Sequence, residues 1–336
     1  YVSQVYQDHD GYIWVATHDG VNRYDGYHFM TIKKENPRFS NLASNYINCV
    51  YRDKKGTLYL GLFGGLQTYD EHEIHDVTIK DGNILLESCY ITCFLERRNG
   101  ELLVGTSANG ILRIGDDRKA MSVHGLLHKT TSVTNMMEDS RNRLWLVTPN
   151  QGVICIDNNQ SRSYFTDHAH NNMVRDVRED LQGNIYVATF NDGLYVMTAA
   201  DHQFHQIPAL GHRRIVSLLV KKDGTLLIGQ DGTGISYYYP MTGTIIDNPI
   251  YSNEVDLSHA KVYSIIEDKN HNIWLGLLQK GLFMQPHQQF SFCSMGSKNA
   301  NTNVIGSNCV LSTLIDHQGH IWIGTDQDGI YELNEH

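Results

Sequence analysis

The fold predicted by this sequence is an all-β propeller, with one four-stranded blade for each copy of a short repeat. Two observations carry that prediction. First, one segment pattern recurs eight times along 336 residues, centred on Trp14, Tyr59, Leu103, Trp145, Tyr186, Leu227, Trp274 and Trp322. Successive centres lie 41 to 48 residues apart. A period in the forties with strand-like content marks a propeller. Second, the segments through the centres are apolar without polar alternation, as in Ile13-Trp14-Val15-Ala16-Thr17 and Ile321-Trp322-Ile323-Gly324-Thr325. A strand covered on both faces by neighbouring sheets reads this way. The chain exceeds the usual domain size, but a propeller does so as one unit. No 3.6-residue periodicity is sustained, so almost no helix is expected. The count of eight favours an eight-bladed ring over residues 1–336. The alternative is a seven-bladed ring followed by the start of a second propeller.

Each slot of the repeat has a physical reason. Six residues before the centre stands Asp8, Asp53, Asp139, Asp180, Asp268 or Asp316 in six of the eight copies. An Asp heading a turn accepts bonds from backbone N–H groups further on, so these carboxylates are expected to cap turns and not to catalyse. Three residues before the centre come Gly11, Gly56, Gly100, Asn142, Gly183, Gly224, His271 and Gly319. That slot is expected at positive φ, which Gly takes freely and Asn or His tolerates best. Two residues after the centre the side chain is small, from Ala16 to Gly324, with Val147 the exception. This leaves room for a neighbour's bulk. A second Gly six or seven residues after the centre, Gly20 to Gly329, turns the chain into a third strand. A fourth follows, as in residues 28–32 or 289–292. Trp14, Trp145, Trp274 and Trp322 are therefore expected to be equivalent, buried and structural.

Composition excludes several functions. The net charge of −10 argues against a nucleic-acid or anionic-membrane surface. No apolar run reaches the ~18 residues of a spanning helix. No initiating Met or signal peptide is present, so a processed protein or an excised segment is expected. The six cysteines contain no CxxC pair, and too few are present for a disulfide scaffold. Whether Cys89 and Cys93 pair is left open. The histidine pairs His72/His75, His168/His170, His202/His205 and His317/His320 fall in different repeats without zinc-spaced partners, so no metal or other cofactor is expected. Residues 229–234 lack the Lys-Ser/Thr ending of a phosphate loop.

The repeat Asp-x-x-Gly-x-Ile/Leu-Trp-x-Gly/Ala-Thr-x-x-Gly-Val/Leu resembles the regulator-propeller repeat of bacterial two-component sensors. The opening, Tyr1-Val2-Ser3-Gln4-Val5 through Asn22-Arg23-Tyr24-Asp25-Gly26, is its most specific part. It is similar to the first blade of the periplasmic sensor region in hybrid two-component systems of Bacteroides-type bacteria. All eight repeats fit. Repeats three and six depart, with Arg97 and Lys221 in the Asp slot, and repeats two and seven carry Leu62 and Leu277 in place of Thr. The resemblance implies a periplasmic, non-enzymatic sensor segment of an inner-membrane-anchored histidine kinase. It implies a second propeller and a β-sandwich in the same parent chain, a possible homodimer, and an oligosaccharide ligand that controls glycan-utilisation genes.

In a propeller, the second-to-third-strand turns and the links between blades open on one face. Those segments supply His18, Phe63, Asn150, Phe190, Asn191, Arg38, His170 and Arg213 as candidate ligand-binding residues. Aromatic faces stack on sugar rings, and Asn, His and Arg bond hydroxyls. Most such residues serve the turns themselves. Phe63 and Phe190 have no turn-forming role, which singles them out. Two rival functions come from other classes. A sialidase- or lyase-like enzyme is disfavoured, because Tyr6, Tyr51, Met137, Arg178, Ile266 and Leu314 stand where the sialidase Asp-box has Ser or Thr. A WD-type interaction scaffold is disfavoured by the missing Gly-His and Trp-Asp signatures.

Overall fold

The computed structural model describes residues 1–115, 119–123, 131–149, 151–158, 160–166, 174–250, 256–287, 309–326 and 328–333. It forms two compact units, Tyr1–His287 and Gln288–His336. The first unit contains seven antiparallel blades in chain order. Blade 1 shows the pattern: Val2–Gln7, Ile13–Thr17, Gly20–Tyr24 and Phe29–Ile32 pair consecutively. Blade 3 is widened by Ile79–Asp81 and Ile84–Leu85, the former pairing parallel to the fourth strand Ala120–Ser122. Blade 7 is described through Val262–Glu267, Ile273–Leu277 and Gly281–Gln285. Its expected fourth strand at 289–292 lies outside the described residues. Helix among the described residues amounts to two short 3-10 turns, Pro37–Phe39 and Pro208–Leu210.

The turn chemistry follows the sequence argument. Asn142 and His271, the two non-glycine residues in their slot, have φ of 62° and 63°. Asp139 accepts the N–H groups of Arg141 and Arg143 at 3.0 and 2.9 Å. Its other oxygen accepts the Trp145 indole N–H at 2.7 Å. Asp8, Asp268 and Asp316 hold Trp14, Trp274 and Trp322 in the same way. The Asp therefore caps the turn and also satisfies the buried indole, a double use that keeps Asp and Trp six residues apart. In repeats three and six the turn is closed differently. Asn99 and Asp223 accept the N–H of Glu101 and Thr225. Arg97 then reaches across to Glu138 of blade 4 at 2.8 Å. Trp14, Trp145 and Trp274 are buried at 1 %, 0 % and 5 % exposure. Trp322, in the second unit, is half-buried.

Within Tyr1–His287 the glycines two places after the centres face the next blade. A Cβ on Gly61 would meet Ile91 at 2.8 Å, and one on Gly276 would meet Val2 at 2.8 Å. Blade 7 thus packs against blade 1. Val2, Val5, Ile13, Val15 and Trp274 form one buried cluster across that seam. A side chain also stitches every seam between first strands. Ser3 Oγ donates to Ile47 O at 2.8 Å, Asn48 Nδ2 to Ile91 O at 2.8 Å, and Thr92 Oγ1 to Val133 O. Asp176 accepts from Asn135 Nδ2 at 2.7 Å and from Leu218 N at 2.8 Å. Ser217 Oγ donates to Val262 O at 2.7 Å, and Ser264 Oγ accepts from Val5 N at 2.9 Å. That last bond joins blade 7 to blade 1.

The expected eight-bladed ring over 1–336 is therefore corrected to a ring of seven within Tyr1–His287. The first strand of blade 1 already fills the seam that an eighth blade would need. The eighth repeat, Val310–Ile315, Ile321–Thr325 and Gly329–Leu333, is a three-stranded sheet of the second unit. Of the cysteines, Cys49, Cys89, Cys93 and Cys155 are free thiols. Cys293 lies outside the described residues.

Candidate ligand-binding face

The seven first strands enclose an axial channel of about 350 Å³, lined by polar side chains including Ser3, Asn48, Thr92, Asn135, Asp176 and Ser264. Asp176 is fully buried there, and loss of hydration pushes its carboxyl up despite Arg178 at 3.3 Å. At one end of the channel blades 1, 2, 3, 6 and 7 each bring two loop positions together. The first residue of the second-to-third-strand turn donates its N–H to the carbonyl of the residue just before the first strand. His18 N bonds Tyr1 O, Phe63 N bonds Tyr46 O, and Asp231 N bonds Arg214 O. Turn and link residues are therefore adjacent by backbone geometry, and their side chains share one rim.

That rim carries an arc of rings. His18 stacks on Tyr46, with centroids 3.7 Å apart, and meets the tilted ring of Tyr1 at 4.1 Å. Tyr90 meets Phe63 edge-on at 4.9 Å, Tyr46 lies 6.0 Å from Phe63, and Tyr263 continues the arc from Tyr1 at 6.1 Å. Phe63 is 66 % exposed, which places a bare aromatic face on solvent. Across the mouth stands Phe190, with the Arg175 and Arg214 guanidinium carbons 5.0 and 5.7 Å from its ring centre. Burial pushes the Tyr1 and Tyr263 phenols up, and the charge of Arg175 opposes that shift in both. Beside Arg214 opens a cavity of about 810 Å³ between blades 6 and 7. Its walls include Arg213, Asp231, Gly232, Thr233, Asp247, His259 and Lys261.

Of the sequence candidates, the structure gathers His18, Phe63 and Phe190 at the mouth and Arg213 at the adjoining cavity. Arg213 is committed to Asp247, at 2.6 and 3.2 Å. Asn191 is exposed on the turn beside Phe190. Arg38 points elsewhere: its guanidinium bonds Glu71 O at 2.9 Å, in the third-to-fourth-strand turn of blade 2. Asn150 and His170 lie outside the described residues. Sequence reasoning passed over Tyr1, Tyr90, Tyr263, Arg175 and Arg214. A signal for part of this set was present, because Tyr1, Tyr46 and Tyr90 recur at the repeat spacing, each just before a first strand. Among the described residues no cluster of three potential metal ligands occurs. None of their helices is long and apolar enough to cross a membrane.

The stacked histidine gives a testable expectation. Protonating the partly buried His18 would place a charge against two rings, and the loss of hydration there lowers its pKa. The folded value is depressed, so the neutral stack adds stability above the unfolded histidine pKa. That part is lost as pH falls through the folded value. A proton NMR titration should show the His18 ring still neutral at a pH where exposed histidines are half-charged. A midpoint at or above the ordinary value would contradict the stack.

The comparisons with known proteins agree with this fold. The model for the two-component regulator propeller family matches residues 1–19, 41–64, 256–278 and 305–327. Those four segments resemble two-component regulator propeller repeats. They are the first, second, seventh and eighth repeats, three of which carry both the turn Asp and the Trp. Among solved structures, this chain is similar to the extracellular domain of a proposed hybrid two component system, BT3049, from B. thetaiotaomicron. The two share 22 % identity at a TM-score of 0.73, over 99 % of this chain and 51 % of that one. The extracellular domain of BT4673 from the same organism aligns at 21 % identity and TM-score 0.66, over 99 % of this chain and 44 % of that one. The chain thus spans about half the length of these neighbours. A streptogramin B lyase shares the fold at 14 % identity and TM-score 0.62, over 82 % of this chain and 90 % of the lyase. No curated protein matches the chain.

Proposed function

We propose that this regulator propeller is the ligand-sensing part of a periplasmic sensor of the hybrid two-component kind, with no catalysis of its own. Its ligand is an oligosaccharide, bound at the axial mouth. The observation that carries the reading is the arc of rings from Tyr263 through Phe63, with Phe190 opposite. Solvent-facing aromatic surface at a channel mouth serves no packing purpose, and large exposed apolar surface marks interaction sites. The regulator repeats and the extracellular domains of similar fold support the sensor class. The histidine kinase, the inner-membrane anchor and the control of glycan-utilisation genes belong to a parent protein.

The eighth repeat supports a longer parent. Leu311, Leu314, Ile315 and Ile330 are 63 to 73 % exposed. A blade sequence is built for burial on both faces, so this sheet suits further blades and is read as the start of a second propeller. Ligand binding would then bias the arrangement of propellers in a dimer. Moving such an equilibrium from 1:99 to 99:1 needs roughly 5.5 kcal/mol of differential affinity.

Calorimetric titration with an oligosaccharide panel tests the site. Phe63→Ala combined with Phe190→Ala should weaken binding at least about tenfold, at unchanged melting temperature, because truncating an anchoring aromatic typically costs over 1 kcal/mol. Unchanged affinity in the double variant would remove the site. Turnover of any saccharide would favour an enzyme on the same fold.

A further inference from the structure

We propose that the ligand is anionic, and that Arg175 and Arg214 hold its carboxylate or sulfate group beside Phe190. This rests on the oligosaccharide reading of the same mouth and names its chemical class. Arg175 is the second residue of the first strand of blade 5, and Arg214 immediately precedes the first strand of blade 6. Phe190 starts the second-to-third-strand turn of blade 5. Both guanidinium groups lie within 6 Å of that ring. Ring–cation attraction at an exposed site is worth only about 0.5–1 kcal/mol. Two like charges gathered on one ring repel each other, and an anion between them removes that repulsion.

The surrounding charges single out this pair. Arg213 is neutralised by Asp247 at 2.6 Å, and Lys261 lies 3.2 Å from Asp231. Among the described residues, Arg175 and Arg214 have no carboxylate partner and no side-chain hydrogen bond. The chain as a whole carries −10, so an uncompensated cationic pair at the channel mouth runs against its overall charge. The guanidinium fork matches a carboxylate or sulfate with two parallel bonds. Phe190 offers an apolar face beside it. The cavity of about 810 Å³ next to Arg214 has the volume of a ligand site, and Thr233, Ser258 and Asn248 line it with hydroxyl and amide groups suited to neutral sugar hydroxyls.

The test is calorimetry on the full chain with matched probes: a galacturonic acid trisaccharide and its carboxyl-reduced form, a sulfated disaccharide and its desulfated form, and inorganic sulfate alone. At least one acidic saccharide should bind at least about tenfold more tightly than its neutral match, with the advantage shrinking as salt rises. The pair that shows it distinguishes carboxylate from sulfate. Arg175→Gln with Arg214→Gln should abolish the preference, so that acidic and neutral forms bind alike. Replacing both by Lys should retain part of it. Arg214→Gln alone repeats the test if the double variant fails to fold. Neutral and acidic forms binding alike, or a preference surviving in the Gln variants, would overturn the inference and leave the sensor reading standing. Binding of inorganic sulfate without any saccharide would keep the anion site and overturn the oligosaccharide reading. No binding of any probe overturns both.

Discussion

Trp145→Ala should destabilise the ring by about 3–5 kcal/mol, read as a lower midpoint in chemical or thermal unfolding. The indole is fully buried, and three kinds of contact are lost together. Its ring stacks on Tyr164 at 5.9 Å and meets Phe204 edge-on at 6.2 Å. The Arg143 guanidinium covers it at 5.2 Å. Its N–H satisfies an Asp139 oxygen at 2.7 Å, and that carboxylate has no exposed surface. An alanine would leave a cavity between blades 4 and 5 and remove one of the bonds that justify burying the charge. Unfolding at the wild-type midpoint would mean that the Trp does not sit between blades.

Gly276→Val should cost up to about 3 kcal/mol through overpacking at the seam that closes the ring. Its backbone φ is not in the left-handed region, so the effect is one of space alone. The first added carbon would lie 2.8 Å from Val2 Cγ1, 3.1 Å from Ser264 Cβ and 3.2 Å from Val5 Cγ2. Those atoms belong to the first strands of blades 1 and 7, neither of which can retreat without breaking the Val5–Ser264 bond. The equivalent Gly324 of the eighth repeat meets only its own sheet, at Ser312. Equilibrium denaturation of Gly276→Val checks the closure directly. Wild-type stability would show that Val2 and Val5 are not the neighbours of blade 7.

Most of the fold was legible because each blade repeats the same local problem. The Asp139 turn cap, the positive φ at Asn142 and His271, and the room at Gly276 each follow from one residue's own stereochemistry. Ring size was not legible. Nothing inside a repeat states how many copies close, since that depends on the angle at which blade 7 meets Val2 and Val5 across more than 250 residues of chain. The candidate site was legible in part. Phe63 and Phe190 stood out because turns have no use for them. Arg175 and Tyr263 did not, because a residue one place into an apolar strand reads as strand. Only the approach of several blades at the axis shows that such positions face a shared opening.

The side-chain stitches between first strands have a mechanical consequence. A linear row of repeats has two ends, and each end can fray at the cost of one interface. A circle sewn at every junction has none. Loosening any blade here strains two junctions at once, and the slack has no free end to escape through. The axial polar residues, which look like the filling of a channel, act as a drawstring. They keep the rim at a set diameter, so the distance from the Phe63 side of the mouth to Phe190 is held by the whole hoop and not by any loop.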